Sequence, residues 1–301
     1  AIHRFKCERL IVGGRHSAHS TYTIVNSSSV ISDAATAFPC EDKITFALFA
    51  LLQSNLHSYW SMIMGSSIGE SPRYIPEKCF DTFPFPESWE SDCQETRSLS
   101  LLNDLGEKLW KTRDEACKCL NIGLTAFYNQ LNSPDEASVH IELTRRLSSE
   151  VDKNVLDAYG LSGQFVEHGF SVEIDELENL AKESDLDTAF YNWLEANGSL
   201  SQDDEIFSRT PDEAIAISSQ LIALLGGERQ SIPWSFGLSP ESRNNAFAKL
   251  LELNEVHNLK SGKNKKLSGK ATGTAAAGGK RRGSPAKAAE SADTGQIGLA
   301  L

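Results

Sequence analysis

The polar stretch at residues 65–74 holds the side chains whose types and spacing best suit binding chemistry, which are Ser66, Ser67, Arg73 and Tyr74. Its glycines and serines let a backbone approach a partner closely. Arg73 carries a planar fork of donors that matches phosphate oxygens and base edges, and Tyr74 carries a flat ring. The stretch therefore predicts a binding loop, with these four side chains as candidate site residues.

Two more cations extend this candidate site. Lys78 follows the loop, and Arg15 lies in a donor-rich N-terminal piece that also contains Arg4, Lys6, Arg9, His16 and His19. The histidines His3, His16 and His19 lack a carboxylate or thiol at metal-ligand spacing, so we expect no metal here. The predicted site is therefore a set of cations and hydrogen-bond donors.

The element before the loop is predicted to be one long helix over about residues 43–64. Asp42 suits its N-cap, and Gly65 suits a left-handed residue at its C-terminal end. Apolar side chains recur every three or four positions, as expected of one buried face: Leu48, Leu52, Leu56, Tyr59 and Ile63. His57 and Trp60 lie beside this face, and we expect both to pack in the core. The helix therefore holds the loop on a rigid element.

Residues 65–86 contain four of the chain's 10 prolines, namely Pro72, Pro76, Pro84 and Pro86. Because a proline biases the residue before it toward extended conformations, we expect no helix to run through this stretch. Its second half interleaves prolines with three aromatic residues, Phe80, Phe83 and Phe85. We call residues 80–86 the aromatic strap and predict that its rings are buried against the body of the protein.

Composition divides the chain into residues 1–90, 91–259 and 260–301. Short apolar runs predict strands at 10–12, 21–25 and 30–31, and periodicity predicts helices at about 96–120, 133–160, 174–196, 211–225 and 240–259. Ser133, Pro134 and Glu136 suit the N-cap, first-turn proline and capping-box glutamate of the second of these helices. The predicted fold class is α+β, with a small mixed α/β region, then a mainly helical region, then a disordered basic tail.

The formal net charge of −12 is distributed unevenly along the 301 residues. Lys and Arg number 7 against 9 Asp and Glu in residues 1–90, 13 against 30 in residues 91–259, and 9 against 2 in residues 260–301. A polyanionic partner is therefore expected to meet the first or the last region. The sequence has no run of 18 apolar residues, no signal-peptide pattern and no C-x-x-C pair among its six cysteines. We expect a cytoplasmic protein with free thiols.

Motifs of enzymatic chemistry are absent from the sequence. It contains no G-x-S-x-G, no Walker glycine-lysine loop and no H-E-x-x-H, and Gly13, Gly14 and Gly123 are too isolated to make a nucleotide-binding loop. Carboxylates abound in residues 91–259 without a spacing that singles out an acid and base pair. The residues by themselves therefore support a binding module on a helical scaffold.

Seven sequence blocks carry a resemblance to a known enzyme family. Three are ALLQSNLHSYW at residues 50–60, GSSIGESPRY at 65–74 and FDTFPFP at 80–86. The others are NIGLTAFYN at 121–129, NSPDE at 132–136, VLDAYG at 155–160 and LLELN at 250–254. In this order they resemble the end of the target-recognition region, and the helical segment after it, of MmeI-like, Type IIG adenine-specific DNA methyltransferases. The resemblance covers about residues 10–258.

The resemblance implies that residues 1–90 are a target-recognition region, incomplete at its N-terminus, that binds double-stranded DNA. It implies a parent enzyme of a restriction-modification or related defence system, which transfers a methyl group from S-adenosylmethionine to an adenine flipped out of the duplex. The donor-binding glycine motif and the Asn-Pro-Pro-Tyr motif of such enzymes are missing from the sequence. We therefore expect the methyltransferase domain upstream of Ala1, and neither catalytic residues nor a bound cofactor in this chain.

Two other interpretations stay open. A stand-alone DNA-binding specificity subunit, working with a separate catalytic chain, requires a true start near Ala1. A helical interaction scaffold without a nucleic-acid role predicts that the acidic residues 91–259 dominate the surface and that DNA binding is absent at low salt. The recognised DNA sequence does not follow from the residues, because base choice depends on which side chains reach which groove edge.

Overall fold

The computed structural model describes residues 7–15, 19–68, 71–86, 89, 97–161, 166–183, 185–202, 204–225 and 231–260. Small antiparallel sheets and many helices confirm the predicted α+β class. The predicted tail beyond Lys260 lies outside the described residues.

The first sheet has strand order β2-β1-β3, with β1 at Arg9–Gly14, β2 at Tyr22–Asn26 and β3 at Ala35–Pro39. Both pairings are antiparallel, and Ile11 of β1 faces Ile24 on one side and Phe38 on the other. The strand predicted at residues 30–31 is wrong, because Val30 is 99% exposed and the chain turns there. The third strand instead uses Thr36 and Phe38, whose side chains alternate inward.

The predicted helix at residues 43–64 is divided into a 3₁₀ turn at Asp42–Ile44, α1 at Thr45–Gln53 and α2 at Asn55–Met64. Ser54 separates the helices because its extended backbone ends α1, while its hydroxyl oxygen accepts the N–H of His57 and so caps α2. Leu48, Leu52 and Leu56 are buried as predicted, whereas Tyr59 is half-buried and Ile63 is exposed.

The predicted binding loop is a hairpin of two short strands, β4 at Ser66–Ile68 and β5 at Ser71–Arg73. A four-residue helix, α3 at Pro76–Cys79, follows, and no helix runs through the described part of residues 65–86, as expected. Pro76 begins this helix, a position where the missing N–H of proline costs nothing. In the aromatic strap Phe83 is buried, and Phe80 and Phe85 are half-buried.

Three helices follow the strap, namely α4 at Arg97–Leu120, α5 at Leu124–Asn132 and α6 at Val139–Ala158. The helix start predicted at Ser133 is wrong. Residues 133–136 form a turn in which the N–H of Glu136 donates to the carbonyl of Ser133, and α6 begins six residues later. The guanidinium of Arg145 explains this, since it binds the carbonyls of Leu131 and Ser133 and so ends α5 at this point.

A second sheet, absent from our sequence-based prediction, lies in the mainly helical region. Its order is β7-β8-β6-β9, with β6 at His168–Glu173, β7 at Ser201–Gln202, β8 at Glu205–Ser208 and β9 at Ser235–Leu238. The helix predicted over 174–196 is two helices, α7 at Ile174–Glu183 and α8 at Asp187–Ala196, which Asp185 separates with a positive φ of 55°. Thr210 and Ser239 precede α9 at Pro211–Leu224 and α10 at Pro240–Lys260, as predicted.

Three hydrophobic clusters organise the described elements. The largest contains side chains of the first sheet, α1, α2, the aromatic strap, α4, α6 and α10. The second contains side chains of β6, β8 and α7 to α9, and a small third cluster joins α4, α5 and α6. The second sheet and α7 to α9 therefore share a core of their own, between α6 and α10 in the chain. The domain boundaries at residues 90 and 259 stay predictions. No helix in the described part of the chain has the length and apolar character that a membrane crossing needs.

Candidate functional site

A cleft of about 1020 Å³ lies between the first sheet and the second sheet. Its first wall, from β1, β2, α2 and the end of β5, includes Arg15, His19, Tyr59, Arg73 and Tyr74. Its second wall, from α5, α6, the second sheet and α10, includes Asn132, Glu173, Glu205, Phe236 and Arg243. The first wall thus contains three of the six candidate site residues, Arg15, Arg73 and Tyr74.

The β4–β5 hairpin places Ser66 directly opposite Arg73 and Ser67 opposite Pro72. Gly65 enters the hairpin in an extended conformation with φ −70° and ψ −152°, so the predicted left-handed conformation is wrong. Glycine is still required there, because a Cβ would lie 2.5 Å from the carbonyl oxygen of Ser61 and 2.9 Å from that of Arg73. Lys78 is exposed on α3, beyond the residues that line the cleft.

Arg15 and Arg73 are brought together by the backbone. The N–H of Tyr74 donates to the carbonyl of Arg15 at 3.0 Å, and the N–H of Arg15 donates to the carbonyl of Ala34 at 3.0 Å. Neither guanidinium forms an ion pair with any described residue, and the buried Nε of Arg15 has no hydrogen-bond partner among them. Two guanidinium groups on hydrogen-bonded backbone segments, neither paired with a described carboxylate, make this part of the first wall attractive to an anion.

Tyr74 turns its ring toward the core rather than standing free in the cleft. It packs edge-to-face on Tyr22 and Phe38, with ring centroids 6.2 Å and 5.9 Å away. Burial, followed by the proximity of Tyr22, raises the pKa of the Tyr74 hydroxyl far above its usual value, so the hydroxyl keeps its proton. That hydroxyl lies 3.4 Å from Nε2 of His57.

His57 and Trp60 pack in the core, as predicted, and both are fully buried. Burial lowers the pKa of His57 to about 3, so the imidazole is neutral at physiological pH. Its Nδ1 lies 3.2 Å from the carbonyl oxygen of Leu52 and donates to it, which leaves Nε2 to accept from the Tyr74 hydroxyl. His57 therefore supports the first wall from behind and carries no charge into the cleft.

Arg113 is a buried side chain behind the first wall that our sequence reasoning missed. It is 2% exposed and donates to the carbonyl of Tyr22 at 2.6 Å and to Oε1 of Gln53 at 3.2 Å. The same Gln53 oxygen accepts the N–H of Tyr22, while the Gln53 amide donates to the carbonyl of Ser20. Arg113 follows Leu109 on the buried face of α4. A cation at this apolar position was the feature of the sequence that could have indicated a buried, hydrogen-bonded arginine.

Most charged side chains of the second wall have a partner that balances or binds them. Arg243 pairs with Glu205 and stacks 4.3 Å above the ring of Tyr59. Asp152 accepts from the backbone and side-chain amides of Asn55 at 2.8 Å and 2.6 Å, and lies 2.9 Å from Nε2 of His168. These contacts join α10 and α6 to α2 across the base of the cleft.

Two further carboxylates of the second wall face the cleft, those of Glu173 and Glu176. Burial, and then the neighbouring Glu173, raise the pKa of Glu176. Anion-binding capacity is therefore concentrated on the first wall, around Arg15 and Arg73.

Residues 8–87 match the model of the family described as MmeI, target recognition domain. Residues 8–87 form an MmeI-like target recognition domain. A solved structure, described as the Type IIL restriction-modification enzyme MmeI in complex with DNA, is similar to this chain with a TM-score of 0.41 and 19% sequence identity. That similarity covers 52% of this chain and 19% of the MmeI chain, so the chain corresponds to less than a fifth of that protein's length. No curated protein is similar enough to count as a match.

All six candidate site residues belong to the target recognition domain, from Arg15 to Lys78. The second wall of the cleft lies outside residues 8–87, in the helical region and its sheet. Asn129, Asn132 and Arg243 are polar side chains of this second wall that sequence reasoning did not select. They became candidates only when the fold brought α5 and α10 to the cleft.

The isolated glycines of the described residues form no cradle for a methyl donor. Gly13 and Gly14 lie in β1 and pair with Thr36 and Ala35 of β3, and a Cβ on Gly13 would meet the ring of Tyr22 at 2.7 Å. Gly123 precedes α5 with open space around it, so no ligand-shaped cradle is formed there. We assign no residue of this chain to the methyl donor. Among the described residues, no group of three or more His, Cys, Asp or Glu could hold a metal ion.

Proposed function

We propose that this chain recognises a specific sequence in double-stranded DNA as part of a restriction-modification enzyme. The match of residues 8–87 to the MmeI target recognition domain carries this proposal. Arg15 and Arg73, which form no ion pair with a described residue, support it, since arginine forks bind phosphate oxygens and guanine edges in a bidentate manner. Exposure of Arg73 and Lys78 leaves both free to reach a groove or a backbone.

The DNA duplex is proposed to approach the first wall of the cleft and the β4–β5 hairpin beside it. Arg73 ends β5 and Ser66 begins β4 directly opposite, so one side of this hairpin offers a guanidinium and a hydroxyl together. The carboxylates of the second wall repel phosphates. The backbone of the DNA is therefore expected to follow the side that carries Arg15 and Arg73.

The binding experiment uses the 301-residue chain and a pool of random duplexes, with repeated selection and sequencing of the bound fraction. Enrichment of one sequence motif supports the proposed function. Even retention of all sequences contradicts sequence-specific recognition. No binding at low salt also contradicts the proposal, and it favours a scaffold without a nucleic-acid role.

Arg73→Ala is expected to weaken binding to the selected duplex by about 1–3 kcal/mol and to relax base preference if the guanidinium reads a base. Arg146→Ala is the matched control, because Arg146 is exposed on α6, outside the residues that line the cleft, and its loss removes the same charge. Titrations of both variants by fluorescence anisotropy make the comparison. Equal affinities of Arg73→Ala and the wild type, with the fold intact, would remove Arg73 from the interface.

The parent enzyme we propose is an S-adenosylmethionine-dependent, adenine-specific DNA methyltransferase, whose catalytic domain precedes this chain. An upstream location is supported by the resemblance of this chain to the recognition region and the helical segment after it in such enzymes. The reading frame before Ala1 tests this directly. Both motifs in frame support the proposal, whereas a stop codon there favours a separate specificity subunit.

A further inference from the structure

His19 joins the two walls of the cleft. Its Nε2 lies 2.8 Å from Oδ1 of Asn129, and its Nδ1 lies 3.5 Å from Nδ2 of Asn132. Both asparagines belong to α5, and Tyr128 of the same helix packs its ring 5.9 Å from the imidazole. His19 precedes β2 on the first wall, so these contacts tie the connection between β1 and β2 to the helical region.

The amide of Asn132 determines which nitrogen of His19 carries the proton. Oδ1 of Asn132 accepts the backbone N–H of Phe236 in β9, at 3.1 Å. The amide must then direct its Nδ2, a donor, toward Nδ1 of His19, which has to accept. The imidazole proton is therefore on Nε2, which donates it to Asn129. A continuous chain of hydrogen bonds runs from β9 through α5 to the first wall.

We propose that His19, in this tautomer, is a positioning residue for the DNA interface and sets the separation of the first wall from the second. His19 leads into β2, where Tyr22 pairs with Gly13 of β1, two residues before Arg15. The backbone of Arg15 is bonded in turn to Tyr74, next to Arg73. The contacts of His19 with α5 therefore determine the position of Arg15 and Arg73 relative to the second wall. This inference rests on the proposed function.

Replacements of His19 separate its hydrogen-bonding role from its charge. His19→Gln keeps one acceptor and one donor, about as far apart as the two ring nitrogens, and is expected to bind the selected duplex within about twofold of the wild type. His19→Arg offers donors only and leaves Nδ2 of Asn132 facing another donor. We expect it, like His19→Ala, to bind about five- to tenfold more weakly, the equivalent of one or two lost hydrogen bonds.

The control for added charge is Ser20→Arg, since Ser20 is the exposed neighbour of His19 and also lines the cleft. A cation at residue 20 is expected to strengthen DNA binding, because it attracts phosphates without disturbing the imidazole. If His19→Arg strengthens binding as Ser20→Arg does, or if His19→Ala binds like the wild type, His19 does not position the interface. Absence of DNA binding by the wild type would overturn the proposed function and this inference together.

The imidazole can also be observed without DNA, which distinguishes the two failures. Ring ¹⁵N NMR spectra of the 301-residue chain are expected to show His19 with a proton on Nε2 and none on Nδ1. Asn132→Asp replaces the donor that faces Nδ1 by an acceptor, so the same ring is expected to carry a proton on Nδ1. A wild-type ring protonated at Nδ1, or a ring that does not respond to Asn132→Asp, would overturn the hydrogen-bond chain even if DNA is bound.

Discussion

Phe83 is the most deeply buried ring of the aromatic strap. Its ring contacts His57, Trp60 and Tyr159 with centroids 5.0, 5.7 and 6.3 Å away, and it is 4% exposed. Phe85 touches the same cluster from outside and stays half-buried. Tyr159 locks the strap from the helical side by donating its hydroxyl to the carbonyl of Pro84 at 2.8 Å. The strap is thus a structural element behind the first wall rather than a surface that meets a ligand.

Phe83→Ala is expected to lower the free energy of unfolding by about 3–5 kcal/mol, because it leaves a cavity among fixed aromatic rings. Phe85→Ala is expected to cost less, since part of its ring already contacts water. Urea denaturation measures both, with Val30→Ala as a control at a fully exposed apolar position. A Phe83→Ala protein that unfolds like the wild type but no longer binds DNA would show that the ring belongs to the site.

A close approach between two elements of the large core joins α1 to α4. A Cβ on Gly106 of α4 would lie 2.0 Å from the carbonyl oxygen of Phe46 in α1, a backbone atom that cannot move without shifting the helix. The two helices therefore need a glycine at this crossing, although glycine weakens a helix interior. Because α1 leads through Ser54 into α2 and the β4–β5 hairpin, the crossing of α1 and α4 also affects the position of Arg73.

Gly106→Ala is expected to destabilise the protein by about 1–3 kcal/mol, through overpacking of α1 against α4. Gly198→Ala is the matched control, since a Cβ there meets nothing within 4 Å, and its cost is expected to stay within about 0.5 kcal/mol. Thermal unfolding followed by circular dichroism compares the two variants. Equal melting temperatures would mean that α1 and α4 separate freely at this crossing.

Charge is distributed over the whole molecule so that the recognition surface and the C-terminal residues attract polyanions while the middle repels them. Residues 261–301 carry 8 Lys and Arg against 2 Asp and Glu. A cationic segment contributes affinity by releasing counterions from DNA, which is independent of base sequence and decreases steeply with salt. The −17 of residues 91–259 opposes this attraction.

Deletion of residues 261–301 is therefore expected to weaken binding to selected and random duplexes about equally and to flatten the salt dependence, without changing the preferred sequence. Titrations at two salt concentrations measure this, and a full-length variant with the eight cations replaced by Gln controls for chain length. Identical salt slopes with and without the segment would mean that it does not contact DNA. A changed preferred sequence would contradict both possibilities, a segment that binds all duplexes alike and a segment that does not contact DNA.

The sequence alone determined the class of fold and the ends of several elements. It also determined the match of residues 8–87 to the MmeI target recognition domain. Thr210 and Ser239 marked the starts of α9 and α10, because capping is a local hydrogen bond between a side chain and the next turn. Proline spacing and aromatic content likewise predicted the strap. These features depend on neighbours in the chain, so they can be read without the fold.

Only the tertiary structure decided the remaining features, and each depends on residues far apart in sequence. Arg145 ends α5 and delays α6, so the start predicted at Ser133 was wrong despite its capping pattern. In the second sheet β6 gains its partners β8 and β9 only across long intervals. Glu205 of β8 is buried where Arg243 of α10 pairs with it. The cleft itself arises where α5, β9 and α10 face the target recognition domain, and no local pattern encodes that meeting.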